Sequence, residues 1–165
     1  MRGRHIDPVE QHLPRGEPRG TVLVISDYRP LNLGHAAALL RHGYAVYTAV
    51  TCTDVPRVFE RFDVESIDLV VFASLVHGWH HQEAEDRPEG IPEATDGDWQ
   101  TRNIREAMEA IRRRQGRRPE ALIAEELMSC GWYQITAEAL AAAGVEYRSY
   151  SASNAQGIVD LLRQV

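Results

Sequence analysis

The chain has 165 residues and a net charge of −6, and it is long enough for one domain with a normal hydrophobic core. Charged residues make up 25% of it and apolar residues 44%, as in ordinary globular proteins, and no apolar run is long enough to span a bilayer. The acidic balance argues against general nucleic-acid binding, because a surface that faces phosphates needs a surplus of cations.

The cysteine count and the absence of lysine restrict the chemistry that the chain can perform. Cys52 and Cys130 are too few for a disulfide framework or a structural zinc site, so we expect a reduced, cytoplasmic setting. All 18 basic residues are arginine. Because the chain has no lysine, Schiff-base chemistry, a phosphate-loop lysine and any lysine-dependent switch are excluded.

The first 19 residues carry charge and proline but no apolar segment. They therefore lack the pattern of a secretory signal, and we interpret residues 1–19 as a flexible leader.

Apolar runs and helical segments alternate after this leader. Strands are predicted at 21–25, 44–50, 68–73, 121–124 and 145–150. Helices are predicted at 31–42, in a short segment after residue 53, and at 99–115, 135–143 and 154–164. Continuous apolar runs such as "TVLVI" and "LVVFA" are typical of strands that are covered on both faces. The pattern predicts an α/β domain with a doubly wound, five-stranded parallel sheet and helices on both faces.

One connection is longer than the others. Residues 74–98 are rich in histidine, acids, glycine and proline, whereas the other connections are short. We predict a single domain at 20–165 that carries a long insertion at about 74–98. The insertion leaves the sheet at the carboxyl end of the third strand.

Ligands of open parallel sheets lie beyond the carboxyl ends of the strands. The candidate site is therefore a rim of residues that follow these ends. Its members are Ser26, Asp27, Ala73, Ser74, Glu125 and Ser151.

Three stretches resemble a response-regulator receiver domain. "VLVISDYRPLNLGHAAALLRHGYAV" is similar to the first strand, acidic turn and first helix of that family, "IDLVVFA" to its third strand, and "AAAGVEYRSYS" to its fourth helix end and fifth strand. The resemblance covers most of residues 20–165. It implies a flavodoxin-like fold with strand order 2-1-3-4-5 and a role in signal transduction.

The resemblance also places the family's functional residues on this chain. The acid pair that holds magnesium falls on Ser26 and Asp27, the phosphoacceptor aspartate on Ala73, the hydroxyl residue on Ala124 or Glu125, and the lysine near Ser151. Formation of an aspartyl phosphate needs a carboxylate nucleophile and a metal ion. Since alanine has no nucleophile, we interpret the chain as a divergent pseudo-receiver.

Other polar residues leave alternatives open. His77, His80 and His81, followed by acids, have side chains that suit a transition metal, but their spacing matches no zinc signature and a solvated polar loop would look similar. Asp27 is either a functional carboxylate or a cap of the first helix. The arginine-rich stretch at 112–118 is interpreted as a solvated helix terminus, where cations meet the negative end of the dipole.

The sequence therefore favours a phosphorylation-independent signalling module that binds a protein partner or a second copy of itself, with no cofactor and no enzymatic activity. Neither nucleic acid nor a membrane is expected as a partner. The resemblance implies a docking face that includes Tyr147, Tyr150 and the last helix. The alternative is a flavodoxin-like small-molecule-binding domain or enzyme with a site around Asp27 and Glu125.

Overall fold

The computed structural model describes residues 8–26, 29–73, 97–124, 137–138, 140–142, 144–150 and 158–159. Its elements are β1 (Val9–His12), β2 (Thr21–Ile25), α1 (Arg29–Arg41), β3 (Ala45–Ala49), α2 (Val55–Arg61), β4 (Leu69–Phe72), α3 (Gly97–Gln115), β5 (Glu120–Ala124) and β6 (Tyr147–Tyr150). The chain is also helical at 137–138, 140–142 and 158–159. Within these ranges no helix has the length and apolar character that crossing a membrane requires.

The strands form one sheet in the order β1-β3-β2-β4-β5-β6. From β3 to β6 all neighbouring pairs are parallel. The five predicted strands therefore take the order 2-1-3-4-5 when they are counted from β2, and the predicted fold class is confirmed. All four residues of β4 and four of the five in β2 are buried, which explains why these strands read as continuous apolar runs.

β1 is a sixth strand that the sequence analysis did not predict. It pairs antiparallel with β3, from Val9 opposite Ala49 to His12 opposite Val46. Val9 is 2% exposed and belongs to the core. The interpretation of residues 1–19 as a flexible leader is therefore wrong for residues 9–12. Four residues with a single apolar side chain give no strand signal, because the partner that orders them lies on β3.

Side-chain contacts also hold β1 in place. The amide of Gln11 donates a hydrogen bond to the hydroxyl of Tyr47, which is its register partner on β3, at 3.0 Å. A carboxylate oxygen of Glu10 lies 2.8 Å from the guanidinium of Arg29, the first residue of α1. β1 is thus tied to both a strand and a helix.

The long helix α3 joins the hydrophobic core through the residues that predicted it. Ile104, Met108 and Ile111 are fully or almost fully buried. At the end of the helix, the side-chain amide of Gln115 accepts a hydrogen bond from the backbone of Ile67 at 2.6 Å and donates one back at 2.8 Å. This double contact fixes the end of α3 beside the start of β4. Most of the predicted insertion, residues 74–96, lies outside the described residues and stays a prediction.

We expect Val9→Ala to lower the free energy of unfolding by about 1.5–3 kcal/mol, because two buried methyl groups are lost and a cavity is left. Leu13→Ala is the matched control, since Leu13 is 58% exposed and its truncation should change stability by less than about 0.5 kcal/mol. Urea denaturation followed by circular dichroism measures both. Equal stability of the two variants would contradict the assignment of Val9 to the core.

Candidate functional site

Two of the predicted rim residues lie side by side at the carboxyl edge of the sheet. Ile25 and Phe72 are register partners at the ends of β2 and β4, so Ser26 and Ala73 follow at the same edge. The amide of Ala73 donates to the carbonyl of Ile25 at 3.0 Å, and the amide of Ser26 donates to the carbonyl of Ala49 at 3.0 Å. Both residues are buried, and Ala73 is 4% exposed.

The other predicted site residues lie outside the described residues. These are Asp27, Ser74, Glu125 and Ser151 of the rim, and the three candidate metal ligands His77, His80 and His81. In the part of the chain that the structure describes, no group of three His, Cys, Asp or Glu side chains is placed to hold a metal ion.

Asn32, in the first turn of α1, is a rim residue that sequence reasoning missed. Its side-chain Nδ2 donates to the carbonyl of Ser26 at 2.9 Å, so it fastens the start of the helix to the end of β2. This contact sets the amide orientation, since the reverse would place two acceptors together. Oδ1 then points away from Ser26, and this buried atom has no hydrogen-bond partner among the described residues. The available signal was the helical spacing of Asn32 and His35 with Ala36 and Leu39, which places two polar residues on the buried face of α1.

His35 and Tyr150 form a second buried polar contact near the same edge. The ring Nδ1 of His35 lies 2.8 Å from the carbonyl of Leu31, which can only accept, so Nδ1 carries the proton. In the neutral ring Nε2 is then the acceptor, and the hydroxyl of Tyr150 donates to it at 2.9 Å. The two rings meet edge to face with centroids 5.7 Å apart. This pair connects α1 to the last residue of β6.

A third polar cluster follows β3. The backbone amide and the hydroxyl of Thr51 both donate to Oδ2 of Asp54, each at 3.1 Å, and the other carboxylate oxygen lies 3.5 Å from the guanidinium of Arg57. Burial, and then the Asp54 charge, raise the pKa of the neighbouring Cys52 thiol. Because the thiolate is the reactive form, Cys52 is protonated and unreactive at neutral pH. The cluster therefore holds the turn after β3 in place and offers no nucleophile.

The described rim side chains of Ser26, Asn32 and Ala73 are all uncharged. They offer hydrogen-bonding groups but no carboxylate. A cleft of about 380 Å³ lies elsewhere, at the amino ends of β5 and β6, where Arg118, Tyr147 and Arg148 are among its lining residues. It is on the edge of the sheet opposite to the predicted rim.

The topology is shared with receiver domains among solved structures. No family model and no curated protein matches the chain. Among solved structures, it is similar to a CheY-like response regulator receiver domain protein from Methanospirillum hungatei JF-1, with 12% identity, a TM-score of 0.51, and coverage of 88% of this chain and 91% of that one. It is equally similar to the signal receiver domain of an HD domain-containing protein from Pseudomonas fluorescens Pf-5, with 15% identity, a TM-score of 0.51 and coverage of 88% and 93%.

The chain has a receiver fold. The fold implied by the sequence resemblance is thereby confirmed. At this level of identity the likeness concerns the fold alone, and β1 adds a strand to the five that the resemblance implied.

We expect Tyr150→Phe to lower the free energy of unfolding by about 1–3 kcal/mol, because it removes the donor to the buried Nε2 of His35. Tyr44→Phe is the control. The hydroxyl of Tyr44 makes no hydrogen bond within the described ranges, so its loss should cost less than about 0.5 kcal/mol. Urea denaturation compares the two, and an unchanged midpoint for Tyr150→Phe would refute the pairing.

Proposed function

We propose that this receiver fold is a regulatory module that works through protein–protein contacts and without phosphorylation. The observation that carries the proposal is Ala73. It directly follows β4 at the centre of the sheet, which is the position where the sequence resemblance places the phosphoacceptor aspartate. Its side chain is a buried methyl group, and its amide is already bonded to Ile25.

The residues around Ala73 support the same proposal. Phosphoryl transfer to a receiver needs a carboxylate nucleophile and positive charge that neutralises the phosphate. The described neighbours Ser26 and Asn32 are neutral, and the chain has no lysine that could take the place of the family's lysine. A serine hydroxyl is a weak nucleophile unless an adjacent base activates it.

Retention of the scaffold favours a role for its surface. β3 and β4 are buried along their whole length, and the His35–Tyr150 pair joins α1 to β6. This contact holds α1 and β6 in a defined relation, because buried polar groups destabilise a fold when they lack partners. A well-packed fold without a nucleophile at Ala73 suits a module that presents its surface to a partner.

We expect no phosphoryl group to be gained when the chain is incubated with acetyl phosphate and magnesium, because Ala73 has no carboxylate. Intact-mass spectrometry measures the gain, and a receiver domain that carries the aspartate is the positive control. Sedimentation velocity before and after the incubation should give the same distribution. A phosphoryl adduct on any residue, with a changed association state, would overturn the proposal.

Asn32 favours a second candidate, which is a small-molecule-binding domain. Its buried Oδ1 has no partner among the described residues, and a ligand that offers an N–H or O–H group would satisfy it. Native mass spectrometry of the purified chain separates the two functions. The module that we propose should show only whole multiples of the chain mass with no added compound, whereas a retained compound that is lost in Asn32→Ala would favour the second candidate.

A further inference from the structure

Five exposed arginines gather where α3 ends and β5 begins. This arginine surface consists of Arg112, Arg113, Arg114, Arg117 and Arg118. The first three lie in the last turn of the helix, and the other two follow Gly116, whose positive φ of 82° ends it. The helix dipole favours cations in the last turn only, so it does not account for the two arginines beyond it.

The arginine surface has fewer counter-charges than cations. Glu109 is shared by two of its members, with carboxylate oxygens 2.8 Å from Arg112 and 2.5 Å from Arg118. Their hydrogen bonds lower the pKa of Glu109 to about 2, so it is ionised at neutral pH and supplies one negative charge. Asp68 pairs with Arg117 at 2.5 Å.

The next acid along the chain is also engaged in an ion pair. Glu120, two residues after the surface, pairs with Arg148 at 2.9 Å. Among the described residues no ion pair involves Arg113 or Arg114, although the guanidinium of Arg114 lies 5.8 Å from the ring of Phe59. Two carboxylates thus face five guanidinium groups, which leaves an exposed surplus of positive charge.

The surface is also held in a fixed place. The double hydrogen bond of Gln115 to Ile67 anchors the helix end, and the Arg117–Asp68 pair anchors the turn after it. An anchored helix end presents its guanidinium groups from one place, and their planar fork matches carboxylate geometry.

A negatively charged segment of the same chain complements the arginine surface. Residues 82–98 contain seven acids and one arginine, so this segment alone has a net charge of −6, equal to that of the whole chain. The remaining residues are neutral in sum. The segment ends where α3 starts, and the arginine surface lies at the other end of this 19-residue helix, about 28 Å away.

A two-fold axis across α3 would bring these two ends together. In an antiparallel pair of α3 helices, the acidic start of each lies beside the arginine end of the other, and the symmetry makes every contact twice. Within one chain, Asp98 at the start of α3 is a helix length away from the arginine surface. We propose that the arginine surface binds the acidic segment 82–98 of a second copy of this chain.

The test uses the full chain. It first reverses the charge of the arginine surface and then exchanges charges between that surface and the acidic segment. At low salt the wild type should self-associate in sedimentation velocity, and about 0.5 M NaCl should abolish this, because exposed ion pairs are screened. Arg113→Glu with Arg114→Glu should weaken association by about tenfold or more, because like charges then face each other. Adding Glu93→Arg and Asp96→Arg to that variant should restore it.

Arg15→Glu with Arg41→Glu is the matched control. Both residues are exposed, and the pair changes the net charge by the same amount, so association should fall much less. Circular dichroism and urea midpoints establish that each variant is folded. A wild type that stays monomeric, an association insensitive to Arg113 and Arg114, or a charge exchange that restores nothing would each overturn the inference.

This inference rests on the proposed function, since it names the partner as a second copy. The two can fail separately. A phosphoryl adduct would end the proposed function while the charge-exchange result still stands, and a monomeric chain that accepts no phosphoryl group would end only the inference.

Discussion

β2 and β4 are buried on both faces and pair in parallel from Val22 opposite Leu69 to Ile25 opposite Phe72. At the amino end of this pair, the carboxylate of Asp68 accepts a hydrogen bond from the amide of Thr21 at 2.9 Å and so extends the contact between the strands. This register brings the ends of both strands to the same edge. The placement of the rim, of α1 after β2, and of the end of α3 beside β4 all follow from it.

The sequence predicts those strands and helices whose hydrophobic pattern lies within their own residues. A strand covered on both faces is a continuous apolar run, and the buried face of α3 shows as Ile104, Met108 and Ile111 at helical spacing. Ser26 and Ala73 could be placed together because the carboxyl ends of parallel strands share an edge. Elements that depend on a distant partner could not be predicted. β1 has one buried apolar residue, and it is ordered by its pairing with the edge of β3 and by the contact of Glu10 with Arg29.

The polar contacts of the site could not be predicted from the sequence either, because their partners are also distant or are backbone groups. His35 meets a tyrosine 115 residues away, and Asn32 meets a backbone carbonyl that no side-chain pattern encodes. Both residues sit on the buried side of α1, where periodicity predicts only that something packs there. Which hydrogen bond each one makes depends on the three-dimensional arrangement of α1, β2 and β6.

β1 also changes what the sheet presents to other proteins. Every residue of β3 is buried, and its sequence "AVYTA" combines apolar and β-branched residues without a charge. A strand of this kind with an open edge would be a template for edge-to-edge pairing and aggregation. β1 covers that edge and replaces it with a strand of four residues that carries Glu10, Gln11 and His12. β1 therefore shields the edge of β3 from pairing with another chain, and a tag or fusion joined close to Val9 would disturb this shield.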